Sequence, residues 1–242
     1  MSTRQSLAER IYVAEAIDDP HCDAERLRRT YAHLAIINKT LSRMEHLLRR
    51  HVVEDAVRVG GSATVLELGC GGGDMLASLA REAAHAGIDL RLVGLDSDPR
   101  AVARARQTLA PYANAHVQQG RIDDLGLLPA DYVFCNHVLH HFPPDDVVPV
   151  LRKLRLAARR RLLVNDLERS PVAYWLYTAL AGVAFHKSFV YSDGRLSIRK
   201  GFRVPELESA CGQAGFPSGF RVERVPPWRV VIIAPGFQSG GA

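Results

Sequence analysis

Val65-Leu66-Glu67-Leu68-Gly69-Cys70-Gly71-Gly72-Gly73-Asp74 reads as an apolar strand that runs into glycines and then into an apolar helical pattern. Glycine at such a turn lets a ligand lie against main-chain N–H groups at the start of the next helix. The spacing of Gly69, Gly71, Gly72 and Gly73 is G-x-G-G-G, not the G-x-G-x-x-G of dinucleotide-binding units. Glu67 sits inside the strand, two residues before the first glycine. A carboxylate there gives a pyrophosphate nothing, whereas a ligand with an ammonium or sulfonium group gains Coulombic attraction.

The E-L-G-C-G-G-G-D run resembles motif I of the class I S-adenosylmethionine-dependent methyltransferases, in which an acidic strand residue precedes a glycine turn. The next apolar segment, Leu92-Val93-Gly94-Leu95, ends in Asp96, 27 residues after Gly69, where an acidic residue suits a ribose diol. Ser97-Asp98-Pro99 and an Ala/Arg-rich helix from Arg100 to Leu109 match the run that follows in the same family, with Pro99 fitting a first helical turn. Val117 to Gly120 reads as a third strand leading to Arg121-Ile122-Asp123. Relatives hold the adenine here through an acidic residue directly after the glycine; Arg121 occupies that position, so Asp123 becomes the side-chain candidate and the Ile122 N–H the backbone one. Ala130 to Cys135 reads as strand four, followed by Asn136-His137-Val138-Leu139-His140-His141, again similar to the family.

These signals come in order, one βα unit apart, and cover about residues 60 to 234. The resemblance implies an α/β, Rossmann-like sheet of seven strands, six parallel and an antiparallel seventh. Arg221–Val225 and Arg229–Ala234 would be strands six and seven. Residues 1–58, helical in pattern, form an N-terminal lid; 59–234 form the methyltransferase domain; 235–242 form a flexible tail. The implied cofactor is S-adenosyl-L-methionine, leaving as S-adenosyl-L-homocysteine. The residues placed around it are Glu67, Gly69, Cys70, Gly71, Asp74, Asp96, Ser97, Ile122, Asp123, Asn136 and His137.

The 242 residues suffice for a sizeable core, and 47% hydrophobic with 24% charged residues is an ordinary globular composition. The net charge of +5 comes mostly from arginines spread along the chain. Nucleic acid is not the expected partner, because the N/D-P-P-Y/F motif of nucleic-acid methyltransferases is replaced by Asn136-His137-Val138-Leu139. Cys22, Cys70, Cys135 and Cys211 show no disulfide or zinc spacing, and the first ten residues carry no signal segment, so a cytoplasmic protein is expected.

Pro171 to Phe185 is the longest apolar stretch, but fifteen residues at about 1.5 Å each fall short of a bilayer core of about 30 Å. It belongs to an insertion, residues 169–198, between strand five (Arg161–Asp166) and the next core helix. Insertions there overhang the ligand edge of an open sheet, so Tyr174, Tyr177, Phe185, His186 and Tyr191 are candidates to line a pocket for a hydrophobic aromatic molecule. Any one of them serves equally well as an anchor for the cap. In the lid, Asp23 caps a helix with Leu27, Tyr31, Leu34 and Ile37 or Ala35 on one face, and Asn38 faces the cofactor or caps the following helix. Such helical appendages pair subunits in relatives, which makes a homodimer an expectation too.

The implied chemistry is in-line transfer of a sulfonium methyl, driven largely by positioning. A phenolic acceptor, with a pKa ordinarily near about 10, gains from a base. Leu139-His140-His141-Phe142-Pro143 with Asp145 and Asp146 is similar to the L-H-x-W-x-x-D/E motif of phenolic O-methyltransferases, in which the first histidine is the base. That makes His140 the catalytic candidate, ahead of His141 and His186; a structural histidine is the other reading. No metal is implied. The first expectation is an O-methyltransferase for a phenolic or polyketide-derived secondary metabolite. The alternatives are C-methylation of a quinone or aromatic ring, and a non-catalytic cofactor-binding protein, which Arg121 would favour.

Overall fold

The computed structural model describes residues 7–127, 130–185 and 187–237. An N-terminal strap with a short 3-10 turn, Ala16–Asp18, leads to α1 (Ala24–Thr40). The Asp23 carboxylate accepts from the Arg26 N–H at 2.7 Å, the cap that the sequence predicts for this helix. Then come α2 (Met44–Leu48), a π-helical segment Arg49–Val53, and α3 (Glu54–Arg58). The body follows as β1 (Ser62–Leu68), α4 (Asp74–Ala86), β2 (Asp89–Asp96), α5 (Pro99–Leu109), β3 (Ala115–Gln119), β4 (Ala130–Asn136), α6 (Val147–Ala157) and β5 (Ala158–Leu167). The insertion folds as α7 (Pro171–Ala184) and α8 (Val190–Lys200), before α9 (Val204–Gln213), β6 (Arg221–Val225) and β7 (Arg229–Pro235).

The strands form one sheet in the order β3-β2-β1-β4-β5-β7-β6, with β7 antiparallel to both neighbours and the other six parallel. Strand alternation sorts side chains into two apolar layers. Leu66, Leu68, Val133 and Leu162 pack under α6 and α9, whereas Val65, Tyr132, Phe134 and Leu163 pack under α2 and α4. Glu67 therefore points, two residues after Val65, to the face shared with α4 and the lid. The chain crosses from β1 to β4 after building β2 and β3 on the other side, so the strand order reverses at β1/β4, where open α/β sheets bind ligands.

The structure adjusts some sequence-based boundaries. Strand three begins at Ala115 rather than Val117, because it pairs with β2 from Leu92 onward. The tail is tethered at its start: the Gly236 N–H donates to Arg160 O at 2.7 Å and the Phe237 N–H to Ala158 O at 2.8 Å. The rest of the expected flexible tail, 238–242, lies outside the described residues, as do residues 1–6 of the lid. Among the described residues, no helix is long and apolar enough to cross a membrane.

Candidate active site

A cavity of about 720 Å³ lies along the C-terminal edge of the sheet, roofed by the strap, α1, α7 and α8. Its floor is the glycine turn. Gly69 has φ +66, and a β-carbon there would lie 2.5 Å from Val138 Cγ2, so only glycine fits between β1 and the β4 loop. A β-carbon on Gly71 would meet nothing within 4 Å.

Three carboxylates face this end. Glu67 is buried, and its Oε2 has no hydrogen-bond partner among the described residues. Burial first, then Asp74 and Asp96, push its pKa well above the ordinary value, with no cation among the described residues to offset them. Burial also raises Asp74 and Asp96. Asp96 is oriented by the Gly71 N–H at 2.8 Å and the Asp98 N–H at 3.0 Å, each of which holds one of its oxygens.

A relay of amides ties the lid to this floor. Asn38 Nδ2 donates to Asp74 Oδ2 at 2.9 Å, Asn136 Nδ2 to Asn38 Oδ1 at 3.0 Å, and Asn165 Nδ2 to Asn136 Oδ1 and to Ser42 O, both at 2.8 Å. The carboxylate at one end only accepts, which fixes the direction of every amide in the chain. Asn38 thus lies inside α1 and latches it, rather than capping a following helix. Arg100 makes a second latch: it pairs with Asp98 and donates to Asp19 O at 2.8 Å and Ile17 O at 3.0 Å.

Beyond the glycine turn lies the histidine pair. His140 is buried, with Nδ1 2.6 Å from Asp166 Oδ1, while its backbone N–H donates to Asp166 Oδ2 at 3.0 Å. Burial alone would raise Asp166, but the charge and hydrogen bond of His140 outweigh it and hold the carboxyl well below its usual range. An ionised Asp166 has no proton to give, so His140 Nδ1 carries the hydrogen of that bond. Nε2 stands 3.7 Å from Glu15 of the strap. Glu15 is itself buried and accepts from Lys200 Nζ at 3.0 Å and Ser197 Oγ at 2.8 Å. Burial opposes a charge on His141, yet Asp18 and Glu15 together raise its pKa. Glu15, His140 and His141 hold ligand-type atoms within 4.8 Å of one another, with the Lys200 ammonium as the cation already at that carboxylate.

Glu67, Gly69, Cys70, Gly71, Asp74, Asp96, Ser97, Asn136, His137 and His140 all line this one cavity. Ile122 and Asp123 do not. Ile122 packs on the core layer beneath α6, and the exposed Asp123 carboxylate pairs with Lys153, so neither stands where a ligand in the cavity would meet it. In the insertion, Tyr177 and Phe185 reach the cavity. Tyr174 turns away to pack with Leu7 and Ile198, where its hydroxyl accepts from Arg195 Nη2 at 2.7 Å. Tyr191 lies against Gly182 as a helix-to-helix contact. Those two tyrosines are anchors of the cap, not part of the pocket wall. His186 lies outside the described residues.

Sequence reasoning gave no role to Asp166, Glu15 or Arg229. The first had a signal, since an acid at the end of a parallel strand stands on the ligand edge. Glu15 sits in irregular chain and had none.

Residues 66–161 match the family model described as a methyltransferase domain. The chain is 31% identical over 115 residues to the ubiquinone biosynthesis O-methyltransferase of Aeromonas salmonicida, an overlap of 46% of this chain and 45% of that one, a little under half the relative's length. Among solved structures, it resembles magnesium protoporphyrin IX methyltransferase from Synechocystis PCC 6803 with bound SAH (TM-score 0.58, 16% identity, 92% of this chain and 91% of that one). It also resembles the plantazolicin methyltransferase BamL (TM-score 0.64, 15% identity, 92% and 79% covered).

Proposed function

We propose, from the premise that this chain belongs to the class I S-adenosylmethionine-dependent methyltransferases, that it methylates a hydroxyl on a hydrophobic aromatic or polyketide-derived small molecule. The observation that carries this reading is the continuity of one cavity from the unbalanced carboxylates at the glycine turn, past His140, to the apolar walls of α1 and α7.

The floor fits the cofactor. Glu67, Asp74 and Asp96 form a buried acidic site whose ionisation burial opposes, an opposition that a ligand with ammonium and sulfonium charges would relieve. Asp96 offers its carboxylate to a ribose diol, and Gly71 leaves open space beside the turn. When bound, S-adenosylmethionine supplies a methyl group activated by the sulfonium.

The rest falls to this chain's residues. Leu34, Ile37, Leu176, Tyr177, Leu180 and Phe185 give an apolar enclosure for an aromatic body. His140 Nε2 takes the acceptor hydroxyl's proton, and the imidazolium so formed stands between Asp166 and Glu15. Asp166 keeps the ring in the tautomer that can do this. The strap and α1, latched by Arg100 and Asn38, exclude water from the charged floor.

The test begins with calorimetric titration by S-adenosylhomocysteine and by NAD. Micromolar binding of the first alone is expected; preference for NAD would sink the reading. Phenols and quinones are then screened with S-adenosylmethionine, and the product is analysed for O–CH₃ against C–CH₃. Loss of roughly 10²–10⁴ in turnover in His140→Gln is expected for a base. Binding without turnover of any acceptor would instead favour a non-catalytic protein, and C–CH₃ product would replace the hydroxyl acceptor by a ring carbon.

A further inference from the structure

At the far end of the cavity, a buried cation forms no ion pair among the described residues. Arg229 opens β7, and because that strand runs antiparallel its first residue lies beside Leu167, at the edge where the parallel strands end. The residue is 7% exposed and lines the cavity. Nη1 turns back to Pro227 O and Trp228 O, both at 3.2 Å, and Nε is buried without any partner among the described residues. The one carboxylate that acts on it is Asp166, which forms no ion pair with it and already accepts from the His140 N–H, His140 Nδ1 and the Leu167 N–H. Burial pulls the guanidinium down to about 10, so it remains charged at neutral pH.

A second unpartnered group faces the same region. His137 has φ +59, and its Nε2 is shut off from solvent without a hydrogen bond among the described residues. Burial first, then the nearby Arg229 charge, hold its ring neutral, in a form that can present N–H at Nε2. Buried cations and donors left unpaired are costly, and a site that keeps two of them is built to receive an acceptor. Between β1, which carries Glu67, and β7 lie β4 and β5, so Arg229 stands three inter-strand spacings, about 14 Å, from the Glu67 strand, with His137 at the end of the intervening β4. Leu167, Pro227 and Trp228, its neighbours in the sheet and the chain, line the cavity beside it.

We propose that Arg229, assisted by His137, is an anion-recognition subsite for the acceptor molecule, which therefore carries a carboxylate or comparably acidic oxygen on its apolar body. This deepens the methyltransferase reading and rests on it only for the identity of the ligand as acceptor. Two ligands could bring a carboxylate here, the acceptor and the cofactor's own amino-acid end, and the experiment separates them.

Calorimetry on the full chain, with and without S-adenosylhomocysteine, would compare 2-naphthoate with the isosteric, uncharged 2-naphthamide, and an arginine-labelled sample would follow the Arg229 Nε–H resonance. The parent should bind the carboxylate about tenfold or more tighter than the amide, the worth of a charge-assisted hydrogen bond, with the Nε–H resonance shifting on saturation. Arg229→Gln should reduce that preference to about twofold or less while leaving S-adenosylhomocysteine affinity unchanged, and Arg229→Lys should retain part of it. Failure of naphthoate to bind, equal binding of the two probes, or a preference that survives in Arg229→Gln would overturn the proposal. So would a large loss of S-adenosylhomocysteine affinity in Arg229→Gln, which would give the guanidinium to the cofactor. Naphthoate preference in a protein that fails to bind S-adenosylhomocysteine would leave the subsite standing and remove the methyltransferase reading.

Discussion

Replacing Glu67 with glutamine separates what the cavity does for its ligand from what it does to the fold. In the ligand-free chain the Glu67 carboxyl is buried beside Asp74 and Asp96, with one oxygen unpartnered. Burial and two like charges cost a carboxyl about 1.4 kcal/mol for each pH unit by which its titration is raised, and glutamine removes that cost while keeping the shape and the unpartnered oxygen. The variant should therefore be more stable than the parent by about 1–3 kcal/mol, or roughly 2–12 °C in Tm for a chain of this size. The gain has a definite pH dependence. A carboxyl raised in the folded state contributes stability that is complete below its ordinary value near 4.5 and is lost as pH climbs toward the folded value. The variant's advantage should accordingly vanish near pH 4 and grow toward neutrality. Affinity should move the other way: losing a hydrogen bond to a charged group costs about 1.5–3 kcal/mol, or roughly 10–150-fold in the Kd for S-adenosylhomocysteine. Thermal unfolding from acid to neutral pH, paired with calorimetry, measures both. A variant less stable than the parent at neutral pH, or one that binds S-adenosylhomocysteine as tightly, would refute the reasoning that the site is a cation receptor held at the expense of the fold.

Asp166→Asn should lower turnover by roughly 10²–10⁴ with little change in S-adenosylhomocysteine affinity, because the amide either loses the Nδ1–H tautomer of His140 or sets a donor against a buried N–H. The same variant should flatten the acid limb of stability: Asp166 is depressed in the folded state, so its contribution is present above its ordinary value of 3.8 and is lost as pH falls below that, a slope that acid titration of the parent should show and the variant lack. Asn38→Ala removes two bonds of the amide relay and leaves Asp74 Oδ2 and Asn136 Nδ2 unpaired, so about 1–3 kcal/mol of stability should be lost, with faster hydrogen exchange confined to α1. Unchanged exchange in α1 would show that the latch is dispensable. Gly69→Ala meets both a left-handed backbone and Val138 at 2.5 Å, and chemical denaturation should record a loss of about 2–5 kcal/mol.

The glycine turn, Glu67 and Asp96 were legible because each stands out from the strand that carries it: a continuous apolar run, buried on both faces, makes the acid at Glu67 conspicuous, and a strand end makes the one at Asp96 accessible. The adenine loop was less legible. With Arg121 after Gly120, the nearest acid was chosen by spacing, yet Asp123 lies exposed against Lys153, and Asp124, exposed too, folds back to accept the Arg121 N–H at 2.7 Å. In α7 the difficulty is periodicity itself. A helix apolar on every side carries no mark of the face that meets the cavity, and residues three apart differ by about 60° around the axis, enough to send Tyr174 to Leu7 and Ile198 while Tyr177 reaches the pocket. Arg229 shows the limit most sharply. An arginine that opens the apolar run Val230-Val231-Ile232-Ile233 reads as the solvated end of a strand, and it becomes a buried cation only because an antiparallel last strand carries that end to the ligand edge, where the β5 end and the Pro226–Trp228 turn close over it. Burial of a charge at a chain-distant junction is a property of topology, and the chemistry that follows from it becomes readable only once the sheet order is known.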